Sequence, residues 1–312
     1  MTGPAIIIQE VGPRDGLQIE PAWVETADKV ALVDGLSRAG FSRIEVSSFV
    51  SPKAVPALRD AAEVFTRIER RPGTVYVALV PNLKGAERAL EARADELNLV
   101  MSASETHNRA NMGMGHDGSL AAFARIAEAV RGLPVAVNAT IATAFGCPFE
   151  GDQPPDKIAA IAARYLDLGV EGVTLADTTG MANPRQVGHL VRRILGQVPA
   201  DRLTLHFHDT RGLGLVNVLA AREAGARRFD ASLGGLGGCP FAPGASGNVC
   251  TEDLVNLCHE TGLDTGLDLP ALIRLSRGLP RLVGHESRGQ LAKAGLACDL
   301  HPVPAAARPA AA

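Results

Sequence analysis

The chain has 312 residues, a formal net charge of −3 and 46% hydrophobic residues, so it can bury one large core in a single domain. The slightly acidic balance leaves no basic surplus to hold a phosphate backbone, which argues against a nucleic-acid partner. No apolar run reaches the roughly 18 residues of a membrane span, so we expect no membrane association. Five cysteines without a Cys-x-x-Cys pair argue against a disulfide framework and favour a reducing, cytoplasmic setting.

Short apolar runs alternate with amphipathic helical stretches along the chain, a pattern typical of a parallel sheet built from strand–helix units. The predicted strands are Ile6–Glu10, Arg43–Val46, Val75–Val80, Glu96–Val100, Val135–Ala139, Gly172–Leu175, Leu203–Phe207 and Phe229–Leu233. The predicted helices between them include Ala27–Ala39, Leu83–Ala92, Leu120–Arg131, Pro155–Leu168, Pro184–Gly196 and Gly214–Ala224. Eight such units predict a (β/α)8 TIM barrel, with a helical C-terminal extension from about Thr251.

The same pattern predicts the domain organisation. We expect residues 1–301 to form one domain that includes the C-terminal helices, and the Pro/Ala-rich residues 302–312 to form a disordered tail. An open, doubly wound α/β sheet is the alternative fold. It is disfavoured because no Gly-x-Gly-x-x-Gly opens the first helix and no Walker lysine loop is present.

Polar side chains cluster where the predicted strands end, which is where barrels of this kind place their active sites. These candidates are Arg14 and Asp15 after the first strand, Glu45 in the second, Asp177 after the sixth, His206 and His208 at the seventh, and Cys239 and Asn248 after the eighth. Because the first and eighth strands are neighbours in a closed barrel, we expect these residues to converge on one mouth.

His206 and His208 are separated by one residue on a predicted strand, so both imidazoles point to the same face. Asp15 adds a carboxylate oxygen and Asn248 an amide oxygen. This nitrogen and oxygen set suits Mg²⁺ or Mn²⁺ better than a closed thiolate zinc site. The sequence therefore predicts a divalent-metal site at the barrel mouth.

The stretch Gly234–Asn248 is too rich in glycine for a helix or a strand, which predicts a loop. Its thiol, Cys239, is either an inert buried group or a proton donor or nucleophile above a cationic centre. Arg14 suits an oxygen on which negative charge develops. Glu45 and Asp177 either support the arginine and the histidines or act directly in acid–base chemistry.

Six runs of the sequence resemble the 3-hydroxy-3-methylglutaryl-CoA lyases, a family of metal-dependent barrel lyases. The runs are Val11–Gln18, Ser48–Lys53, Pro81–Gly85, Gly146–Gly151, His206–Thr210 and Gly234–Asn248. The resemblance spans Ile6 to about Gly266. It implies cleavage of an acyl-CoA substrate, 3-hydroxy-3-methylglutaryl-CoA, to acetyl-CoA and acetoacetate, and it also implies a homodimer and a place in leucine breakdown.

The resemblance also implies a role for each candidate residue. The metal ligands would be Asp15, His206, His208 and Asn248. Arg14 would stabilise the enolate oxygen, Cys239 would protonate the enolate carbon, and Ser48 would contact substrate. Asp177 would support Arg14 or the metal ligands, and the general base stays open among His206, Asp15 and Glu45.

The sequence departs from the family pattern at Ile19, where asparagine is usual, at His107 and Arg109, and at Ala176, where glycine is common. The candidate metal ligands, the arginine and the thiol are kept, so the departures bear on the substrate more than on the type of reaction. A related 3-hydroxyacyl-CoA, such as citramalyl-CoA, is therefore the alternative substrate. A condensing enzyme like the 2-isopropylmalate synthases would have a longer C-terminal domain and no loop thiol. A non-catalytic barrel retained for binding would have lost one of these groups.

Overall fold

The computed structural model describes residues 5–238, 247–300 and 302. Eight parallel strands pair in chain order, and the eighth pairs with the first to close a barrel. The strands are β1 Ile7–Glu10, β2 Arg43–Ser48, β3 Val75–Leu79, β4 Glu96–Ser102, β5 Ala136–Ala142, β6 Gly172–Asp177, β7 Leu203–Phe207 and β8 Arg228–Ala231. The predicted (β/α)8 barrel is confirmed, and the open doubly wound sheet is excluded.

Helices connect and surround the strands. They are α1 Thr26–Arg38, α2 Ala61–Arg67, α3 Leu83–Glu91, α4 Glu105–Met112, α5 His116–Ala129, α6 Pro155–Asp167, α7 Pro184–Leu195, α8 Gly214–Glu223, α9 Thr251–Glu260, α10 Leu269–Val283 and α11 Gln290–Ala294. After β8, α10 packs against both α9 and α1. Within the described ranges, no helix combines the length and apolarity needed to cross a membrane. Apart from residue 302, the predicted tail lies outside the described residues.

Several strand ends differ from the prediction. Strands β2, β4, β5 and β6 run two or three residues further, and added residues pair across the sheet, as Ser102 does with Ala142. The last residue of each extended strand (Ser48, Ser102, Ala142 and Asp177) is of a small or polar type with weak strand propensity, so its pairing in the barrel decides where the strand ends. Strand β8 ends early because Leu233–Gly235 forms a 3₁₀ turn.

Local signals fix the helix boundaries. The side chains of Asn82 and Asn183 accept the backbone N–H groups that open α3 and α7, which satisfies donors that lack partners within the helix. Gly40, between α1 and β2, has φ +103°. A Cβ atom there would lie 2.6 Å from the carbonyl oxygen of Gly266. Only glycine allows this close approach between the end of α1 and the chain that precedes α10.

The barrel interior is polar. Asn98 on β4 accepts hydrogen bonds from Asn138 Nδ2 at 3.0 Å and from Thr140 Oγ1 at 2.9 Å. Its own Nδ2 donates to Oε1 of Glu45 at 2.8 Å. The alternate residues, such as Leu97 and Leu99, are fully buried in the apolar core, as the period-two geometry of a strand requires. A hydrogen-bonded network thus leads through the barrel to Glu45.

Candidate active site

A π-helical turn, Gly12–Gly16, follows β1 and carries both Arg14 and Asp15. It forms because the carbonyl oxygen of Val11 accepts hydrogen bonds from the N–H groups of Arg14, Asp15 and Gly16. The bond from Asp15 is the shortest, at 2.7 Å. Oε1 of the Glu10 carboxyl group accepts a hydrogen bond from the N–H of Gly12, the first residue of the turn, at 2.7 Å. Turns of this kind are rare and often occur at functional sites. The turn buries both side chains at the C-terminal end of the barrel.

Arg14 is held by two carboxylates. Its Nε donates to Oε2 of Glu45 at 2.6 Å, and its Nη1 donates to Oδ1 of Asp15 at 2.5 Å. Burial alone would lower the pKa of Arg14, but Glu45 and Asp15 raise it, so the guanidinium stays charged. Burial raises the pKa of Glu45 despite the neighbouring arginine. Among the described residues nothing accepts a hydrogen bond from Nη2, which leaves this edge of the guanidinium available.

His206 ends β7 together with Phe207, and His208 follows directly. The two Nε2 atoms lie 3.1 Å apart. Ligand atoms of His206, His208 and Asp15 all lie within 4.8 Å of one another, and all three residues are buried. The two imidazoles therefore point to the same side, as predicted from strand alternation, and the Asp15 carboxylate lies beside them.

The returning end of the glycine-rich loop brings Asn248 to this cluster. The N–H of Val249 donates to the carbonyl oxygen of Phe207 at 3.1 Å, so the segment runs beside the end of β7. Asn248 Nδ2 donates to Oδ2 of Asp15 at 2.7 Å and to the carbonyl oxygen of Leu236 at 2.9 Å. Its Oδ1 is buried and has no hydrogen-bond partner in the part of the chain that the structure describes.

Burial and the neighbouring charges shift the pKa values of the cluster in different directions, and Asp230 and Asp15 raise that of His206 against the effect of burial. Burial would raise the pKa of Asp15, but Arg14 and the two imidazoles hold it below its usual value. Burial, reinforced by His206, lowers the pKa of His208 to about 3, so this imidazole is neutral and keeps a lone pair. With the unpartnered amide oxygen of Asn248, the donor set of two oxygens and two imidazole nitrogens fits a divalent cation.

Asp177 and Ser48 are the last residues of β6 and β2, so both lie at the C-terminal end of the barrel. Asp177 Oδ1 accepts the N–H groups of Met181 at 2.8 Å and Ala182 at 3.1 Å, and burial raises its pKa to about 6. Ser48 is buried, and its Oγ accepts the N–H of Val50 at 3.3 Å. In the described structure neither residue forms a hydrogen bond with Asp15, His206, His208 or Asn248. Their predicted roles stay predictions.

Comparison with known proteins identifies the family. Residues 5–278 match the model of the family described as HMGL-like. The chain belongs to the HMGL-like family. The matched range includes β1 to β8 and all of the candidate site residues.

Relatives of this HMGL-like chain include named lyases. It is 43% identical over 279 residues to the hydroxymethylglutaryl-CoA lyase YngG of Bacillus subtilis, covering 89% of this chain and 93% of the relative. It is 42% identical over 301 residues to the (R)-citramalyl-CoA lyase of Chloroflexus aurantiacus, covering 93% and 95%. Among solved structures, an HMG-CoA lyase from Acinetobacter baumannii in complex with coenzyme A and 3-methylmalate is 60% identical, with a TM-score of 0.94 and coverage of 97% and 100%.

Gly237, in the described part of the glycine-rich sequence, lies close to the cluster of this HMGL-like chain. Cys239 lies outside the described residues, so its predicted role stays a prediction. Just before it, Gly237 has φ +108°. A Cβ atom at this position would lie 2.5 Å from Nδ2 of Asn248 and 3.4 Å from Oδ2 of Asp15. Glycine is therefore needed both for the backbone conformation and for the approach to the cluster.

The sequence prediction missed two side chains that contact the candidate ligands. Oδ2 of Asp230 on β8 lies 3.1 Å from Nδ1 of His206, and Nε2 of Gln18 donates to Oδ1 of Asp15 at 2.8 Å. Asp230 follows the fully buried Phe229, so strand alternation places it inside the barrel. A lone carboxylate in the middle of a barrel strand was the available signal.

Proposed function

We propose that the protein is a divalent-metal-dependent carbon–carbon lyase that cleaves 3-hydroxy-3-methylglutaryl-CoA to acetyl-CoA and acetoacetate. The observation that carries this proposal is the buried cluster of Asp15, His206 and His208, with the Arg14 guanidinium ion-paired beside it. The lyase names of the relatives from B. subtilis and A. baumannii support the choice of substrate.

Asp15, His206, His208 and Asn248 would hold the metal. Carboxylate and amide oxygens with imidazole nitrogens suit Mg²⁺ or Mn²⁺. When bound, such an ion supplies Lewis-acid polarisation of the substrate's C3 hydroxyl and so lowers its pKa. Asp15 is fixed for this role by Arg14 and Gln18 on Oδ1 and by Asn248 on Oδ2.

Arg14 stabilises the charge that develops during cleavage. Loss of the hydroxyl proton turns C3 into the ketone of acetoacetate, and the electrons of the C2–C3 bond pass to the thioester as an enolate. Glu45 and Asp15 hold two nitrogens of the Arg14 guanidinium. The remaining Nη2 is the group that we assign to the enolate oxygen, because a pre-oriented donor there stabilises the transition state more than the substrate.

Two proton transfers complete the reaction. Both oxygens of Glu45 already accept hydrogen bonds, from Arg14 and from Asn98, which favours a positioning role over proton abstraction. His206 and Asp15, the other candidates for the general base, are both assigned to the metal, and both oxygens of Asp15 also accept hydrogen bonds. We assign protonation of the enolate carbon to Cys239, on the basis of its place in the glycine-rich loop, and this step yields acetyl-CoA.

The decisive experiment is a mass-spectrometric assay of purified, EDTA-stripped protein with 3-hydroxy-3-methylglutaryl-CoA. We expect acetyl-CoA and acetoacetate in equal amounts once Mg²⁺ or Mn²⁺ is restored, and no products before. Equal turnover in the stripped and metal-loaded protein would contradict the metal requirement.

A second candidate substrate is citramalyl-CoA, which the 42% identity to an (R)-citramalyl-CoA lyase favours. It also carries a C3 hydroxyl, so the same side chains would act on it. The assay is therefore repeated with this thioester in a separate reaction. Cleavage of citramalyl-CoA alone would keep the mechanism and change the substrate, while no cleavage of either thioester would refute the proposed activity.

The cellular setting is part of the same proposal. On the family resemblance we assign a homodimer, a cytoplasmic location and a role in leucine breakdown. Light scattering of the purified protein tests the first of these, and a mass near that of one chain, 32.5 kDa, would contradict it.

A further inference from the structure

The two imidazoles of the cluster have different surroundings. His206 Nδ1 faces Oδ2 of Asp230 at 3.1 Å, while its Nε2 faces His208. His208 Nδ1 is buried, and it has no hydrogen-bond partner within the described ranges. Asp230 is only 7% exposed and lies on β8, next to the strand that carries His206. One imidazole is therefore oriented by a buried carboxylate and the other is not.

Asp230 is itself held in place through the barrel interior. Its Oδ1 accepts a hydrogen bond from Gln9 Nε2 at 3.2 Å, and Gln9 Oε1 accepts one from Arg43 Nε at 3.1 Å. Arg43 is ion-paired with Glu96. These side chains come from β8, β1, β2 and β4, and all lie in the polar interior. Because Gln9 holds Oδ1 of Asp230, the other carboxylate oxygen, Oδ2, stays directed at His206.

We propose that Asp230 is a positioning residue that keeps His206 in the Nδ1–H tautomer and directs its Nε2 lone pair into the cluster. A carboxylate accepts hydrogen bonds, so the facing ring nitrogen carries a proton, and in the neutral imidazole the other nitrogen is then left free to bind a metal. Gln9 and Arg43 support this role by holding Asp230. The inference rests on the proposed metal site, since it assigns a function to a residue that touches one of its ligands.

The test uses Asp230→Asn in the full chain. An amide can present its NH₂ to Nδ1 and so permits the other tautomer. On metal-stripped protein, ¹⁵N NMR of the histidine side chains reads the tautomer directly, with the His206 signals identified by their loss in His206→Gln. We expect the Nδ1–H population of His206 to fall. In a Mn²⁺ titration followed by electron paramagnetic resonance, we expect affinity to fall about 10- to 100-fold.

Two further variants keep the test specific. Asp95→Asn removes a carboxylate that bonds to Arg70 and to the N–H of Tyr76, and it should leave the tautomer and the Mn²⁺ affinity unchanged. Gln9→Met keeps the Asp230 carboxylate but removes its support, so a smaller loss is expected; it also serves if Asp230→Asn does not fold. An unchanged tautomer in folded Asp230→Asn would overturn the proposal. Wild-type protein that does not bind Mn²⁺ would instead refute the metal site, and the tautomer would still decide the role of Asp230.

Discussion

Asn248 donates a hydrogen bond to Oδ2 of Asp15 at 2.7 Å, although 233 positions separate the two residues in the chain. The contact exists because β1 and β8 are neighbours in the closed barrel. A second hydrogen bond from the same nitrogen to Leu236 fixes the orientation of the amide. The amide oxygen is thereby left available to a cation. Asn248 and Asp15 would then each contribute one oxygen ligand.

Replacement of His208 tests the proposed ligand set. Its neutral imidazole lies in the buried cluster with Asp15 and His206, so His208→Ala should reduce Mn²⁺ affinity by at least about tenfold. The matched control is His189→Ala, on the exposed face of α7, which should bind Mn²⁺ like the wild type. Isothermal titration of the stripped proteins measures both, and equal affinities would refute the role of His208.

Replacement of Cys239 tests the proposed proton donor. If the thiol protonates the enolate carbon, Cys239→Ala should lower turnover about 100-fold or more while Mn²⁺ binding persists. Cys298→Ala removes an exposed thiol and should have normal turnover. Turnover of Cys239→Ala close to that of the wild type would remove this residue from the mechanism.

Substitution of Gly237 tests the close approach of the loop to the cluster. Gly237→Ala and Gly73→Ala both place a Cβ atom on a residue with positive φ, +108° and +88°, at a cost of roughly 1–2 kcal/mol each. Only at Gly237 would the new Cβ atom clash, 2.5 Å from Nδ2 of Asn248, because nothing lies within 4 Å at Gly73. We therefore expect a loss of Mn²⁺ affinity in Gly237→Ala alone. A similar loss in both variants would point to general strain.

Glu10 should make stability depend on pH. Burial raises its pKa from 4.5 to about 8, so between these values the folded chain keeps a proton that the unfolded chain releases. The contribution of Glu10 to the free energy of unfolding is greatest below pH 4.5. It is lost as pH rises toward 8, by at most about 1.4 kcal/mol per pH unit. Glu10→Gln has no such proton. In urea unfolding its stability should decline less over this range than that of the wild type.

The control for this prediction is Glu128→Gln, an exposed position on α5, whose pH profile should follow the wild type. Parallel profiles for wild type and Glu10→Gln would show that Glu10 releases its proton at the same pH in both states.

Much of this architecture could be predicted from the sequence. Repeated strand–helix units indicate a barrel, and the barrel implies that residues following the strands meet at one mouth. His206 and His208 lie together because alternation along a strand is a local property. Arg14 and Asp15 follow β1 closely enough that their place at the mouth was also predictable.

The supporting contacts could not be predicted in the same way. The bond of Asp230 to His206, and that of Asn98 to Glu45, depend on the register between strands and on side-chain rotamers inside the barrel. The place of Asn248 depends on a backbone pairing, Val249 to Phe207, that returns the loop beside β7. Glycine-rich sequence indicates that a loop exists and gives no information about its path.

The pairing of β1 with β8 joins parts of the chain that are synthesised at very different times. Asp15 emerges from the ribosome among the first residues, but its partner Asn248 follows only after all eight strands have been made. Contacts of such long sequence separation form late in folding, because the loop they close is costly in entropy. A cation held by both residues can therefore stabilise only a finished ring, and its capture would mark a chain whose barrel has closed.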